Sequence, residues 1–383
     1  MKILVLTNLY PPQVVGGYER SIADFARLLQ HRGHQVLVLT TDTPEYAGNH
    51  VSRYPDPPVE RSLSLCGRWD GQTGPYWLPM EQVTPLNQQN LQVLNQHLQT
   101  FQPDVCLAGN MTFLLVDLLE QVLAAGVPIA HYIMNKVADY PSELAPRTPL
   151  YRYITCSDWV RQQLLQVGYP AETAITIYPG AVVEEFYQPE LPAHDFLRIA
   201  YASLVMHYKG ADVLVEALCL LHAAGIEFTA TIAGGTLAPK YVEVLQDLVT
   251  SEGMQDRVQF PGALSRQGLI ELYKTHNVLV FPSRFEEPFG ISQIEAMAAG
   301  LTLITSGTGG AKEIVEHAQD GLLFESENPL DLADMLSSLV AYPTEWDAIT
   351  RKGQQKAMTR FSQAKAVEKL EATFRDLISL KEI

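Results

Sequence analysis

The chain has 383 residues, 47% of them apolar and 18% charged, which is too long for one ordinary core and sets two domains as the first expectation. A formal net charge of −16 argues against nucleic acid as a partner and against a broadly polybasic membrane patch. No apolar run approaches the roughly twenty residues of a membrane-spanning helix, and MKILVLTNLYPP lacks a secretory cleavage site, so it reads as a buried first strand.

In chain order, KILVLT (2–7), QVLVLT (35–40), DVCLAG (104–109) and VPIAHYI (127–133) are apolar runs without polar alternation. Amphipathic segments separate them, among them 18–33 and 86–101. Strands of this kind alternating with helices predict a parallel sheet covered on both faces. The region from His50 to Glu81 shows no periodicity; its GRWDGQTGPYWLP reads either as a packed loop or as aromatic rings suited to a sugar. Cys66, Cys106, Cys156 and Cys219 are scattered without a metal-ligand spacing, which points to no structural zinc and to a reducing, cytoplasmic setting.

Residues 177–195 hold Pro179, Pro189 and Pro192 with little periodicity and read as a linker. The alternation then restarts with LRIAYASL (197–204) and continues through TATIAGG, RVQFPG, NVLVFPS and LTLITSG, ending in three helical stretches. The expected division is 1–190 and 191–361, with 362–383 a final helix that packs back on the first domain. Two doubly wound α/β sheets facing each other across a cleft would bind ligands beyond the carboxyl ends of their strands, so the strand-to-helix loops are the ones to read.

One such loop is FPSRFEEPFGISQIEAMAAG (281–300). Pro288 disfavours the α conformation at Glu287, keeping that carboxylate in the loop. Gly290 permits unusual backbone just where a helix begins, and the amides of Gly290, Ile291 and Ser292 lack intrahelical acceptors there. Such a helix head suits phosphate or sugar oxygens. Glu295 falls on the flank of the stripe Ile291, Ile294, Ala298, where a partly desolvated carboxylate wants donors such as ribose hydroxyls. The plainer alternative has Glu287 favouring the helix dipole and Glu295 pairing with Lys312 or solvent.

Other positions are open in the same way. Gly16 and Gly17 form either a simple turn or a close approach to a diphosphate. Lys209, heading a helix in HYKGAD, is either a solvated lysine or a counter-charge for a diphosphate. His131, closing an apolar strand, is either a satisfied core residue or a contact to a sugar near its reactive carbon.

The segment E-P-F-G-I-S-Q-I-E from Glu287 to Glu295 resembles the E-x7-E motif of retaining GT-B glycosyltransferases, and its flanks resemble glycosyltransferase family four. LYPPQVVGGYER, IAHYIMN, SDWVRQQLLQVG, IYPGAVVEEFYQP, YKGADVLVEAL, TIAGG, VQFPGALS and DGLLF extend the similarity over most of the chain in family order. The resemblance implies the GT-B fold, two Rossmann-like domains, with the C-terminal one holding a nucleotide-sugar donor. It places Glu295 on the ribose, Glu287 on the transferred sugar, and the amides from Phe289 to Ile291 on sugar and diphosphate. Gly234, Ser292 and the pair Gly16–Gly17 join the donor site, Lys209 neutralises the leaving diphosphate, and His131 contacts the sugar. Where the family often has an arginine, this chain has Ser203, leaving His207 and Arg284 as candidates for a second cation.

The implied reaction is a retaining transfer of a hexose from a UDP-sugar, such as UDP-glucose, to a glycan or glycolipid hydroxyl. The resemblance implies neither metal nor cofactor, and a cytoplasmic protein with at most transient contact with the inner leaflet. The competing readings are a nucleotide-sugar 2-epimerase and a non-catalytic nucleotide-sugar-binding protein.

Overall fold

The computed structural model describes residues 1–48, 54–70 and 74–381. The chain divides into two compact units, residues 1–179 with 363–383, and residues 180–362.

In the first unit the strands are β1 (Lys2–Leu6), β2 (Gln35–Thr41), β3 (Val59–Leu63), β4 (Gly67–Asp70), β5 (Gly74–Trp77), β6 (Val105–Ala108), β7 (Ile129–Ile133), β8 (Tyr151–Thr155) and β9 (Ile175–Thr176). Seven of them form one sheet in the order β3-β2-β1-β6-β7-β8-β9, every neighbouring pair parallel. The near-continuous apolar runs explain this: Ile3, Val5, Leu6, Val105 and Ile129 have no exposed surface, as strands covered on both faces require. Helix Gly17–His31 is amphipathic, burying Ile22, Phe25, Ala26 and Leu29. Helix Met80–Phe101 begins ahead of the expected 86 and carries Pro85 inside it. Its buried face already includes Val83, so packing overrides the proline there.

The second unit holds β10 (Leu197–Ala202), β11 (Phe228–Ala233), β12 (Val258–Gly262), β13 (Val278–Phe281), β14 (Thr302–Thr305) and β15 (Leu322–Leu323). They form a six-stranded parallel sheet in the order β12-β11-β10-β13-β14-β15. Its core gathers Leu197, Ile199, Val213, Leu214, Leu218, Val280, Leu332 and Leu336. In both sheets the strand order turns back beside the first strand, between β1 and β6 and between β10 and β13. Those are the topological switch points at which open parallel sheets receive ligands.

The division falls earlier than the sequence placed it. Residues 180–190 belong to the second unit, because helix Val183–Phe186 buries Val183 and Phe186 there and Ala181 bridges in parallel to Ser362. Helix Gln363–Ser379 belongs to the first unit, burying Val367, Leu370, Phe374 and Leu377. The region read as aperiodic also has structure: β3 extends the main sheet, and β4 and β5 form an antiparallel hairpin. Trp69 and Trp77 of that hairpin both pack edge-on against Phe113, and a Cβ on Gly67 would lie 2.1 Å from the Phe113 ring. Residues 49–53 and 71–73 of the region lie outside the described residues.

Candidate functional site

In the second unit the loops following β10 and β13 meet at the switch point. Gly210 (φ 71°) closes the short 3-10 turn His207–Lys209, and a Cβ on it would stand 1.9 Å from the Pro282 carbonyl oxygen. Only glycine allows that approach and that φ together. The amides of Arg284 and Phe285 both donate to the Tyr208 carbonyl at 3.0 Å, sewing the two loops together.

The result is that Lys209 reaches Glu287, 78 positions away, with Nζ 2.5 Å from Oε1. Ser283 Oγ donates to the same oxygen at 2.8 Å. Oε2 accepts from no group among the described residues. The Glu287 backbone carbonyl takes the Gly310 amide at 2.7 Å, and Gly309 (φ 62°) passes so close that a Cβ would sit 2.5 Å from that oxygen. The ion pair is largely buried, the two side chains being 15% and 9% exposed. Half-exposed Tyr208 and Phe285 flank it, each ring centroid 5.4 Å from Nζ. An acceptor oxygen and an ammonium group are thus presented side by side in a partly dry setting, where charge interactions are strengthened.

The loop then enters helix Ile291–Ala298 through Gly290 (φ 104°), with Phe289 buried against Phe361 at 5.8 Å. Ile291 and Ser292 open the helix, so their amides head it without intrahelical acceptors. Glu295 stands one turn on, its side chain 12% exposed, with Arg266 Nη1 3.5 Å from Oε1. The expected alternatives for Glu295, Lys312 or solvent, give way to Arg266. That arginine also pairs with Glu185 at 2.5 Å and lies over the Phe186 ring. Gly234 (φ 157°) is where the ends of β10 and β11 close up: a Cβ would stand 1.7 Å from the Ser203 carbonyl, and its amide donates to Gly262.

Of the two candidates for a second cation, His207 is an exposed side chain 4.0 Å from Asp212. Arg284 is already engaged. Its fork takes Asp212 at 2.7 and 2.8 Å, Nε takes Glu327 at 2.7 Å, and Nη1 also meets the His207 carbonyl at 2.8 Å. In this structure its donors are directed at two carboxylates and a carbonyl.

In the first unit, Gly16 and Gly17 follow β1 and begin helix Gly17–His31. Both are exposed, and a Cβ on Gly17 would meet nothing within 4 Å. Glu19, missed in the sequence, is buried beneath them: Oε2 accepts the Gly16 amide at 2.9 Å and Oε1 accepts from Asn110 at 2.8 Å. The network continues to Thr112, whose Oγ1 lies 2.7 Å from Asn110 Oδ1 and 2.8 Å from Asp139 Oδ1. Asn135 donates to Asp139 at 3.0 Å. Burial raises the Asp139 pKa despite the hydrogen bonds from Thr112 and Asn135. These residues come from three segments, the head of helix Gly17–His31 and the loops after β6 and β7, so only the fold brings them together.

His131 is a correction. Its side chain is completely buried and both ring nitrogens are engaged, Nε2 at 3.1 Å from the Gly109 carbonyl and Nδ1 at 2.5 Å from the Tyr151 hydroxyl. The Gly109 carbonyl can only accept, so Nε2 carries the proton. Tyr140, Tyr151 and Tyr153 surround the ring. Burial drives its pKa down to about 3, offset in part by the Gly109 bond. The residue expected at the sugar is a neutral member of the core.

Residues 183–356 match the family described as glycosyl transferases group 1, and residues 15–185 match glycosyltransferase family 4. An uncharacterised glycosyltransferase of Methanocaldococcus jannaschii is 25% identical over 87% of each chain. The GDP-mannose-dependent α-(1-6)-phosphatidylinositol monomannoside mannosyltransferase of Mycobacterium tuberculosis is 25% identical over 88% of this chain and 89% of its own. Anabaena HepE, solved with UDP and glucose, superposes with a TM-score of 0.73 at 21% identity, covering 98% of this chain and all of its own. Two parallel switch-point sheets, a lysine–glutamate pair beside a helix head and family matches running from residue 15 to residue 356 lead to one assignment: the chain belongs to glycosyltransferase family four and is a GT-B glycosyltransferase.

Proposed function

We propose that this chain transfers a hexose from a UDP-sugar to a hydroxyl of a glycan or glycolipid, with retention at the anomeric carbon and without a metal. The observation that carries the reading is the Lys209–Glu287 pair at the head of helix Ile291–Ala298, with one Glu287 oxygen unpaired among the described residues. In this reading Glu287 Oε2 accepts from a hydroxyl of the transferred sugar, and Glu295 accepts from the ribose. The Gly290, Ile291 and Ser292 amides receive diphosphate oxygens, and Lys209 turns from Glu287 toward the same group. As the bond from the anomeric carbon to phosphate oxygen breaks, negative charge grows on the diphosphate. The ammonium and the positive end of the helix dipole stabilise it there. The acceptor oxygen bonds to the anomeric carbon on the same face, and its proton passes to the departing phosphate oxygen. Gly16 and Gly17 offer open backbone in the first unit, and the acceptor is held on that unit.

A GDP-sugar is the second reading, favoured by the mycobacterial relative that uses GDP-mannose. That relative's lipid acceptor also supports a glycolipid for this chain, reached from the cytoplasmic side by transient contact. Among the described residues no helix is long and apolar enough to cross a membrane.

The test is a thermal-shift panel of UDP, GDP and their sugars, followed by NMR of the products. Ligands that bind the native state raise the melting temperature. UDP and a UDP-hexose are expected to do so, and Glu295→Ala is expected to weaken UDP by about tenfold through the lost ribose hydrogen bonds. Unchanged UDP affinity in that variant removes the ribose assignment. Release of an altered nucleotide sugar without an acceptor, or a product of inverted anomeric configuration, overturns the reaction.

A further inference from the structure

Lys209 and Glu287 come from separate loops, and nothing in either loop alone fixes their meeting. Arg284, in the Glu287 loop, bonds to the Lys209 turn. Its backbone amide holds the Tyr208 carbonyl, next to Lys209, and its side chain holds the His207 carbonyl at 2.8 Å. The guanidinium grips both oxygens of Asp212, in the first turn of helix Ala211–Ala223, while Nε reaches Glu327 in a third loop. Tyr241 supports the far side of the grip: its hydroxyl donates to Asp212 Oδ1 at 2.7 Å and lies 3.1 Å from the Asp212 amide. Three residues along from Arg284, Glu287 receives Lys209.

A planar fork holding one carboxylate by two bonds fixes direction as well as distance, which a single ammonium cannot do. Two carboxylates, Asp212 and Glu327, already surround the guanidinium, so it adds little net positive charge to the neighbouring site. Its contribution is geometric.

We propose that Arg284 is a positioning residue of the donor site: it locks the Lys209 turn to the Glu287 loop in the register that aims both side chains at one ligand, and does not itself touch the diphosphate. The inference rests on the donor-site reading above. It assigns the arginine of the P-S-R-F segment to registry between loops, and it leaves Lys209 as the side-chain cation facing the leaving group.

The experiment compares the full chain with Arg284→Lys, Lys209→Ala and the double variant. Calorimetry measures affinity for a nucleoside diphosphate against its monophosphate: UDP and UMP, or GDP and GMP if the panel selects guanosine. Wild type is expected to prefer the diphosphate, and Lys209→Ala to lose about tenfold of that preference, the worth of one charge-assisted hydrogen bond. Arg284→Lys keeps the charge but not the fork, and is expected to lose a similar factor with little change in monophosphate affinity. In the Lys209→Ala background it is expected to add nothing, since a positioning effect acts through Lys209. Additive losses in the double variant mean that Arg284 meets the phosphate directly and overturn the proposal, as does an Arg284→Lys variant with wild-type preference. If Lys209→Ala leaves the preference unchanged, the donor-site reading falls and the positioning role falls with it. Glu327→Gln, at an exposed carboxylate, provides a milder variant should Arg284→Lys fold poorly: a smaller loss of preference is expected, and none at all counts against the clamp.

Discussion

At Glu287 the two carboxylate oxygens live in different surroundings. Oε1 is fixed by Lys209 and Ser283, while Oε2 has no partner among the described residues. In the proposed reaction Ser283 still holds Oε1 once Lys209 turns to the diphosphate, so Oε2 would accept a hydroxyl with little reorganisation, which is how prearranged groups favour a charged transition state. His131 shows the opposite case, a polar side chain whose hydrogen bonds all lie within the core. The unfolded imidazole takes a proton below its ordinary value of 6.5, whereas the folded one stays neutral down to about 3. Over that window the unfolded state binds more protons, so stability falls as pH drops from 6.5 toward 3 and levels off below. His194 and His276, also lowered by burial, act in the same direction. Urea unfolding of His131→Gln against wild type isolates the single residue. The wild type is expected to show the extra slope, up to about 1.4 kcal/mol per pH unit, and an equal slope in the variant contradicts it. The sequence could place His131 at a strand end but not say which way it was satisfied, because its partners, Gly109 and Tyr151, lie on other strands or loops.

Among the elements, helix Gln363–Ser379 depends on one polar clasp as well as its apolar stripe. Glu371 receives Arg32 at 2.8 and 3.0 Å and His34 at 2.9 Å, with Arg375 3.5 Å away. The Arg32 hydrogen bonds, first among the causes, pull its pKa from 4.5 to about 2. A depressed carboxylate contributes its full stability above 4.5 and loses it as pH falls toward 2. Glu371→Gln is therefore expected to cost roughly 1–3 kcal/mol at pH 7. The gap to wild type should narrow below pH 4.5 in denaturant titrations; a constant gap would place the cost in packing. The strands β1, β2, β6, β7, β10 and β13 were legible because each is a short, mainly apolar run. The hairpin β4–β5 was not, since glycine and aromatic residues packing on a distant Phe113 leave no local period. That Glu287 falls in the loop, Gly290 at the helix head and Glu295 one turn on was legible for a related reason: their spacing is local. The pairing of Lys209 with Glu287, and the loss of Arg284 to Asp212, are long-range facts that only the β10–β13 neighbourship creates.

For the whole molecule, chain order and spatial order differ. Removing residues 363–383 takes the end of the chain that follows the second unit, yet the surface it exposes lies on the first. Val367, Leu370, Phe374 and Leu377 have no exposed surface, and each buried side chain of that size is worth about 1.5–3 kcal/mol. Calorimetry of a chain ending at Ser362 is expected to show the first unit melting early or unfolded and the second nearly unchanged. A uniform shift of both would mean that the helix supports the two alike.

The same arrangement bears on what happens when the backbone is cut. A protease that opened the peptide between Pro179 and Gly180 would leave residues 180–383 carrying, as a covalent tail, the helix that completes the other piece. The two fragments would therefore stay associated on a sizing column under native conditions and come apart only in denaturant, so split halves of this enzyme are suited to reassembly by complementation.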